Sequence, residues 1–260
     1  MHRPSAFVLW LQKIWPALAL FIAVLIFWEY AVTWFKVPAF LLPPPSAIFT
    51  EMAENWAMLM NNLWATMLAA VLGFALGTAI AIFLAVLFLY SRTAERALFP
   101  WAITIKTIPV LAVAPLLTIW LGFGLAPKVA IAALICFFPT LVNAVKGFRT
   151  IDSQTIEFFR IAGASKAQLF RHARLYGSMP YIFAAAKISA SMSVIGAIVA
   201  EFTGANSGIG TLIVTAGYQM DARMLFAAVV VSSIATIALF YAVVLVERLC
   251  LYWPEARIDA

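Results

Sequence analysis

The chain has 260 residues, of which 65% are hydrophobic and only 11% are charged, and its mean hydropathy is +1.01. A soluble domain is usually about 45–50% apolar and about 25% charged, and a core of this size could not hide the excess from water. The composition therefore excludes a soluble globular protein and indicates an integral membrane protein. The 2 cysteines and 2 histidines are too few for a disulfide framework, a multi-cysteine metal site or a histidine-rich centre.

Six apolar segments are long enough to cross a bilayer, which takes about 20 residues of helix. Their apolar runs are continuous, whereas the strands of a membrane β-barrel alternate. The first segment is longer than the apolar part of a signal peptide and no small-x-small site follows it, so we expect it to be retained. We predict an all-α integral membrane protein with six transmembrane helices, at residues 14–35, 63–90, 98–121, 129–145, 181–202 and 225–246.

Lysines and arginines are distributed unequally between the two sides of this topology. With a cytosolic N-terminus, 12 of them fall inside and 3 (Lys36, Lys128 and Arg223) fall outside, while Lys106 and Lys187 lie within or beside spans. Because positively charged loops remain in the cytosol, both termini are predicted to be cytosolic. The net charge of +6 has the same origin, and we expect no nucleic-acid partner.

The first outer loop, residues 36–62, predicts a helix of its own. Pro43 to Pro45 form a stiff spacer, and Ser46 behind them is expected to cap a helix. The apolar residues of that helix share one face, which indicates an amphipathic helix on the outer membrane surface. They are Ile48, Met52, Trp56 and Leu59. An ordinary ordered loop is the alternative.

Small residues recur along two of the predicted spans. They favour close helix packing, and lining of a pathway is the alternative interpretation. The two stripes consist of Ala69, Gly73, Gly77 and Ala81, and of Ser189, Ser193, Ala197 and Ala200.

The long inside loop, residues 146–180, carries helix signals that a passive linker would not need. Asp152 is suited to begin a helix, and Gly163 to end it in the left-handed conformation. Ser165 and Gln168 have the capping-box spacing that opens a second helix, which Gly177 and Pro180 are expected to close. We predict a helix–turn–helix docking element. A membrane-surface helix pair is an alternative; a DNA-binding motif is disfavoured because both ends are tied to the membrane.

Part of this loop resembles the EAA coupling motif of the permeases of binding-protein-dependent ABC importers. The motif begins with a glutamate and has a glycine six residues later, as Glu157 and Gly163 do here, and Pro180 follows seventeen residues after Gly163. Phe158 and Phe159 replace the family's two alanines, and Tyr176 stands where its first proline is common. We call residues 146–180 the coupling loop.

Further blocks resemble the nitrate/sulfonate/taurine branch of that family, and they occur in the family's order between about residues 41 and 253. Each is short, and their combination carries the resemblance. The blocks are residues 42–46, 108–109, 114–116, 120–124, 137–140, 163–165, 200–202 and 204–210.

The resemblance implies the type I importer permease fold in a bacterial inner membrane, with a cytosolic coupling helix. The implied partners are a second copy of the chain, two ATP-binding subunits, an external solute-binding protein and the bilayer. No GxxxxGK[ST] motif occurs in the sequence, so ATP and Mg²⁺ would be bound by the partner ATPase, and the chain is expected to be neither an enzyme nor a carrier of its own cofactor. The implied organisation is a tail with the first helix (1–35), a periplasmic loop (36–62), a permease core (63–250) and a cytosolic tail (251–260).

Two sets of candidate functional residues follow from the resemblance and from charges at unusual depth. The expected ATPase-coupling residues are Glu157, Phe158, Phe159, Arg160, Ala162, Gly163, Ala164, Ser165 and Leu169. The candidates for the pathway or its outer gate are Lys106, Pro109, Glu201, Asn206 and Ser207.

Charges inside a membrane need water, a partner or an interfacial position. Lys106 precedes Pro109, where the third span is expected to bend; it either reaches the cytosolic interface or meets an anionic substrate. Glu201 begins the outer loop 201–210 and is expected to act in the gate or in binding-protein contact. Glu29 is expected near the outer interface and has no assigned role.

Family members carry nitrate, sulfonates, bicarbonate or aromatic and heterocyclic vitamin precursors, so the substrate stays open; one deep lysine and no deep arginine favour a small organic solute.

Three alternatives remain. An intramembrane enzyme is disfavoured because HExxH and GxSxG are absent and both histidines lie outside the spans. A stand-alone secondary transporter or channel often shows internal repeats, and none is convincing here. The vitamin-binding component of a different ABC importer class would not need the coupling loop.

Overall fold

The computed structural model describes the backbone of residues 6–251 and the side chains of residues 15–251, and every regular element in that range is helical. The predicted tails at either end lie largely outside the described residues. The α-helices are α1 (Ala6–Trp34), α2 (Pro45–Glu54), α3 (Trp56–Tyr90), α4 (Arg92–Thr107), α5 (Val110–Leu121), α6 (Leu125–Arg149), α7 (Ser153–Ile161), α8 (Lys166–Leu169), α9 (Leu175–Glu201), α10 (Ile209–Tyr218) and α11 (Ala222–Cys250).

Five of these helices are long and apolar enough to cross a membrane, and the α4–α5 pair makes a sixth if it is counted as one broken span. The predicted span 98–121 is therefore not one continuous helix: α4 and α5 meet at an angle of 100°. Pro109 lacks an N–H group and disfavours the helical conformation at Ile108, whose φ and ψ are −71° and 126°. The bend expected at Pro109 is confirmed.

The core of the bundle is formed by α6 packed between α3 and α9. The stripe of small residues in α3 is buried against α6, as predicted: a Cβ atom added to Gly77 would lie 2.5 Å from the Ala133 carbonyl oxygen. On the other side, a Cβ on Gly196 would lie 2.8 Å from the Cα of Ala132. The small residues thus act in close packing, which brings three helix backbones together.

The outer-loop helix differs from its prediction in three ways. Pro44 rather than Ser46 is the N-cap, and the Ser46 N–H and hydroxyl donate instead to the Glu29 carboxylate, at 3.0 and 2.7 Å. The helix stops at Glu54, so Trp56 belongs to α3 and is exposed. Ile48 is buried in one apolar cluster with residues of α3, α10 and α11, so α2 is part of the packed fold.

The second helix of the coupling loop was predicted to end at Gly177 and Pro180, and this prediction is wrong. The helix runs from Lys166 to Glu201, through a π-helical segment at Phe170–Arg174 and on into α9. Membrane helices tolerate an internal proline because local π-type adjustments and neighbouring helices satisfy the freed backbone groups. The second helix of the coupling loop is therefore the beginning of a span, which ties the loop directly to the bundle.

Candidate functional site

The coupling loop is built by local hydrogen bonds at both of its predicted caps. The Asp152 carboxylate accepts from the N–H and the hydroxyl of Thr155 at the start of α7, and these bonds hold the pKa of Asp152 below its ordinary value. The cap is therefore present above the usual titration range of aspartate and is lost as the pH falls through the lowered pKa. The predicted capping box is confirmed: the Gln168 N–H donates to Ser165 Oγ at 3.2 Å, and the Ser165 N–H to Gln168 Oε1 at 2.7 Å.

Gly163 ends α7 as the sequence predicts. Its φ is +71°, the Gly163 N–H donates to the Arg160 carbonyl at 3.0 Å, and the Ala164 N–H donates to the Phe159 carbonyl at 2.9 Å. This pair of bonds is the Schellman arrangement, which favours glycine because other residues rarely adopt a positive φ. The turn between the two helices is thus fixed by backbone geometry.

The coupling loop exposes apolar side chains at its tip and buries them at its base. Phe158 and Ile161 are 68% and 81% exposed, whereas Phe170, at the base, packs against Phe148 with ring centroids 5.6 Å apart. Glu157 and Arg160 are also exposed, and Phe159 is half-buried with its ring 6.0 Å from that of Phe158. The structure brings all nine predicted coupling residues together around this turn.

A second candidate site lies where α4 and α5 bend. A cavity of about 550 Å³ is lined by residues of α4, α5, α6 and α9, and Lys106 and Asn143 are its polar side chains. The Lys106 ammonium lies 4.5 Å from the centroid of the Phe138 ring, a cation–π distance. The cavity is therefore apolar apart from Lys106 and Asn143, and Pro109 forms the bend beside it.

The third group is a buried polar network at the start of α10. Glu201 is the last residue of α9 and is only 1% exposed, and Lys128 near the start of α6 is 4% exposed. The Lys128 ammonium donates to Glu201 Oε1 at 3.1 Å, and the Thr66 hydroxyl donates to the same oxygen at 2.9 Å. The Gly210 N–H donates to Glu201 Oε2 at 2.8 Å. Glu201 thus joins three spans to α10.

This network also fixes the segment between α9 and α10. Lys128 donates to the Ser207 carbonyl, the Gly208 N–H donates to Asn62 Oδ1 at 2.8 Å, and the Ile209 N–H donates to Thr66 Oγ1 at 2.8 Å. Gly208 has a φ of +123°, and a Cβ atom there would overlap the Glu201 carboxylate. Glu201 therefore lies at the start of the segment 201–210, as expected, but its side chain is buried and anchors that segment.

The five pathway candidates do not form a single site. Lys106 and Pro109 lie at the α4–α5 bend, while Glu201, Asn206 and Ser207 lie at the α9–α10 turn. Two residues that sequence reasoning missed, Thr66 and Asn62, hold that turn, and Lys128 was assigned only to an outer loop. The sequence signal for this network was a lone lysine at one end of an apolar helix, together with a lone glutamate at one end of another.

Comparison with known proteins agrees with this architecture. The family "Binding-protein-dependent transport system inner membrane component" matches residues 77–250. Inward-facing structures of the MetNI methionine ABC transporter include a chain with a TM-score of 0.66 and 18% identity; the match covers 75% of this chain and 97% of that one. At this identity the likeness shows the fold, and it confirms the importer permease fold predicted from the sequence.

Relatives of known designation extend the match over nearly the whole chain. The riboflavin transport system permease RibX of Chloroflexus aurantiacus is 36% identical, over 93% of this chain and 92% of its own. The formylaminopyrimidine transport permease ThiX of Halalkalibacterium halodurans is 32% identical, over 95% and 98%. The putative aliphatic sulfonates permease SsuC of Bacillus subtilis is 30% identical, over 85% and 80%. The stand-alone transporter is not favoured, and the chain belongs to the family of binding-protein-dependent transport system inner membrane components, the permease subunits of ABC importers.

Proposed function

We propose that this permease imports a small heterocyclic or aromatic nutrient, and that two copies of it work with two ATPase subunits and an external binding protein. The single observation that carries the substrate class is the cavity at the α4–α5 bend, which is apolar apart from one ammonium and one amide group. Such a surface suits a flat organic solute with few polar groups. A strongly charged anion would need more cationic groups than Lys106 alone.

The designations of the relatives support the same substrate class. RibX and ThiX, which are 36% and 32% identical to this chain, are designated permeases for riboflavin and for formylaminopyrimidine, both of which are nitrogen heterocycles. A relative designated for aliphatic sulfonates is 30% identical, so a sulfonate, nitrate or taurine-like solute is the second candidate. Lys106 is the feature that would favour it.

The proposed ATPase contact is the tip of the coupling loop. Phe158 and Ile161 expose apolar surface on a turn whose backbone is fixed by Gly163 and by two helix caps. An exposed apolar tip on a rigid base favours insertion into a cleft of a partner. Because this end of the bundle carries most of the lysines and arginines, we place it in the cytosol, where ATP is available.

A second copy of the chain is proposed to pack against α5. This helix leaves Leu111, Ile119 and Trp120 exposed and forms one wall of the cavity through Val110 and Val113. A partner on this face would cover the apolar surface and place two cavities beside the subunit interface. The translocation pathway would then run between the two copies.

Native mass spectrometry of the tagged permease, extracted gently from its own host, tests this assembly. We expect a mass of two copies of this chain plus two ATP-binding subunits. A monomer or homodimer that transports solute without ATP-binding subunits would contradict the proposed function.

Replacing Lys106 with methionine tests whether the cavity meets the substrate. If the ammonium bonds to a carbonyl or anionic group of the solute, its loss should raise the KM for uptake roughly 10-fold or more, since bonds to charged groups contribute about 1.5–3 kcal/mol. Uptake into proteoliposomes would be compared for riboflavin, an aminopyrimidine and an alkanesulfonate. Lys106→Arg should retain uptake, and Lys36→Met removes an exposed lysine elsewhere as the control. An unchanged KM for every transported solute would place Lys106 outside the substrate path.

A further inference from the structure

A basic groove lies beside α4, at the same end of the bundle as the coupling loop. The groove encloses about 850 Å³ and is lined by side chains from α3, α4, α6 and the π-helical segment. Four of these are arginines, namely Arg92, Arg96, Arg149 and Arg174, and the acidic one is Glu95. A neighbouring cavity of about 480 Å³ shares Glu95 and Arg149 and adds a lysine, Lys146.

The positive charge of this groove is not balanced by the residues around it. Arg149 Nη2 lies 2.7 Å from Glu95 Oε2, and this is the groove's one ion pair in the part of the chain that the structure describes. One carboxylate therefore faces four arginines. Arg92 is also the first residue of α4, where the helix dipole disfavours a cation. Such an arrangement is stabilised when an anion enters it.

The walls of the groove indicate what kind of anion fits. Leu89 and Phe99 stand beside the arginines, and the Phe99 ring packs edge-on against Phe88 at 6.2 Å. Pro100 adds a further apolar side chain to the α4 wall of the groove. A ligand with an anionic head and an apolar tail would match both parts, whereas a free anion would leave the apolar walls uncovered.

We propose that this groove is a binding site for an anionic phospholipid of the cytosolic leaflet. Its phosphate is held by Arg92, Arg96 and Arg174 through charge-assisted bonds, and its acyl chains lie along the apolar side chains that line the groove, Leu89, Phe99 and Pro100. The groove lies at the ends of α3 and α6, beside the coupling loop that we place in the cytosol. A lipid bound there steadies the start of α4, whose last turn carries Lys106 at the cavity. The lipid site does not depend on which solute is transported.

The experiment uses the intact importer complex, purified in a neutral detergent and titrated with phosphatidylglycerol or phosphatidylcholine under native mass spectrometry. The test variant is Arg92→Gln with Arg96→Gln, and Arg174→Gln is a second variant in case the first folds poorly. Arg171→Gln is the matched control, because Arg171 is an exposed arginine at the same end that does not line the groove. A competition titration adds inorganic phosphate to the complex with phosphatidylglycerol already bound.

We expect phosphatidylglycerol to bind and phosphatidylcholine to bind far less. The affinity for phosphatidylglycerol should fall about 5-fold for each arginine removed, and about 25-fold in the double variant, while Arg171→Gln should have little effect. Equal lipid binding by all variants would overturn the proposal. So would full displacement of the lipid by millimolar phosphate, which would indicate a free-anion site. Loss of the ATPase subunits from the double variant without any change in lipid binding would identify the groove as a subunit contact and would also overturn it.

Discussion

Replacing Lys128 with methionine is expected to lower the free energy of unfolding by about 3–5 kcal/mol, because Glu201 would keep a buried charge without its cation. Both side chains are almost fully buried, and the ammonium lies 3.1 Å from the carboxylate. The variant should also loosen the α9–α10 turn, since Lys128 bonds to the Ser207 carbonyl. Chemical unfolding of the purified permease in mixed micelles, followed by circular dichroism, measures the loss.

Two companion variants separate the buried pair from a general loss of charge. Lys187 pairs with Glu247 at 2.9 Å, but their side chains are 28% and 18% exposed, so Lys187→Met should cost about 1 kcal/mol or less. The double change Lys128→Met, Glu201→Gln keeps an acceptor for Gly210 and removes the unpaired charge, so it should recover more than half of the lost stability. If Lys128→Met and Lys187→Met had the same effect, the anchoring role of the pair would be wrong.

The buried pair also shows where sequence reasoning stops. Lys128 and Glu201 are separated by 73 positions, and no periodicity links them. We predicted that Lys128 lies in an outer loop, because the preceding apolar run ends at Leu121 and glycines follow. The two residues could have been paired only by the argument that an isolated buried charge is costly. That argument requires knowing that the start of α6 and the end of α9 lie at the same side of the bundle.

The features that could be predicted depend on local physical rules. The apolar runs predicted the spans, and Pro109 predicted the bend. The caps Asp152 and Ser165 predicted where the two coupling-loop helices begin, and Gly163 predicted where the first of them ends. Each of these signals acts within about one helical turn. Tertiary context decided the cases where local rules failed.

Ser46 and Pro180 illustrate those failures. Serine is a common helix N-cap, but the hydroxyl and the N–H of Ser46 donate instead to the carboxylate of Glu29 in α1. Pro180 was expected to end a helix, yet it lies inside α9, shortly after the π-helical segment. Local propensity is a weak prior when a distant partner or a surrounding bundle satisfies the same groups.

Gly163→Val is expected to detach or uncouple the proposed ATPase subunits while the permease remains folded. The φ of Gly163 is +71° and an added Cβ atom would meet nothing within 4 Å, so the cost arises from the backbone alone. A non-glycine residue costs about 1–2 kcal/mol in this conformation, and a β-branched residue resists it most. The turn should open and displace Phe158 and Ile161. Substrate-stimulated ATP hydrolysis by the purified complex should fall at least about 10-fold, and the ATP-binding subunits should be lost in native mass spectrometry.

Two glycine variants make this result specific to the coupling loop. Gly163→Asn should retain most of the activity, because asparagine adopts the left-handed conformation more readily than other residues. Gly122 also has a positive φ, +84°, with nothing within 4 Å of an added Cβ atom, but it follows α5 rather than α7. With a ψ of −178°, Gly122 lies in a region that is essentially confined to glycine, so Gly122→Val introduces at least as much backbone strain outside the coupling loop and should leave the ATPase subunits bound. Normal substrate-stimulated hydrolysis in Gly163→Val would show that the turn does not transmit ATP-driven motion, whereas equal subunit loss from both valine variants would show that strain anywhere in the permease releases the ATPase.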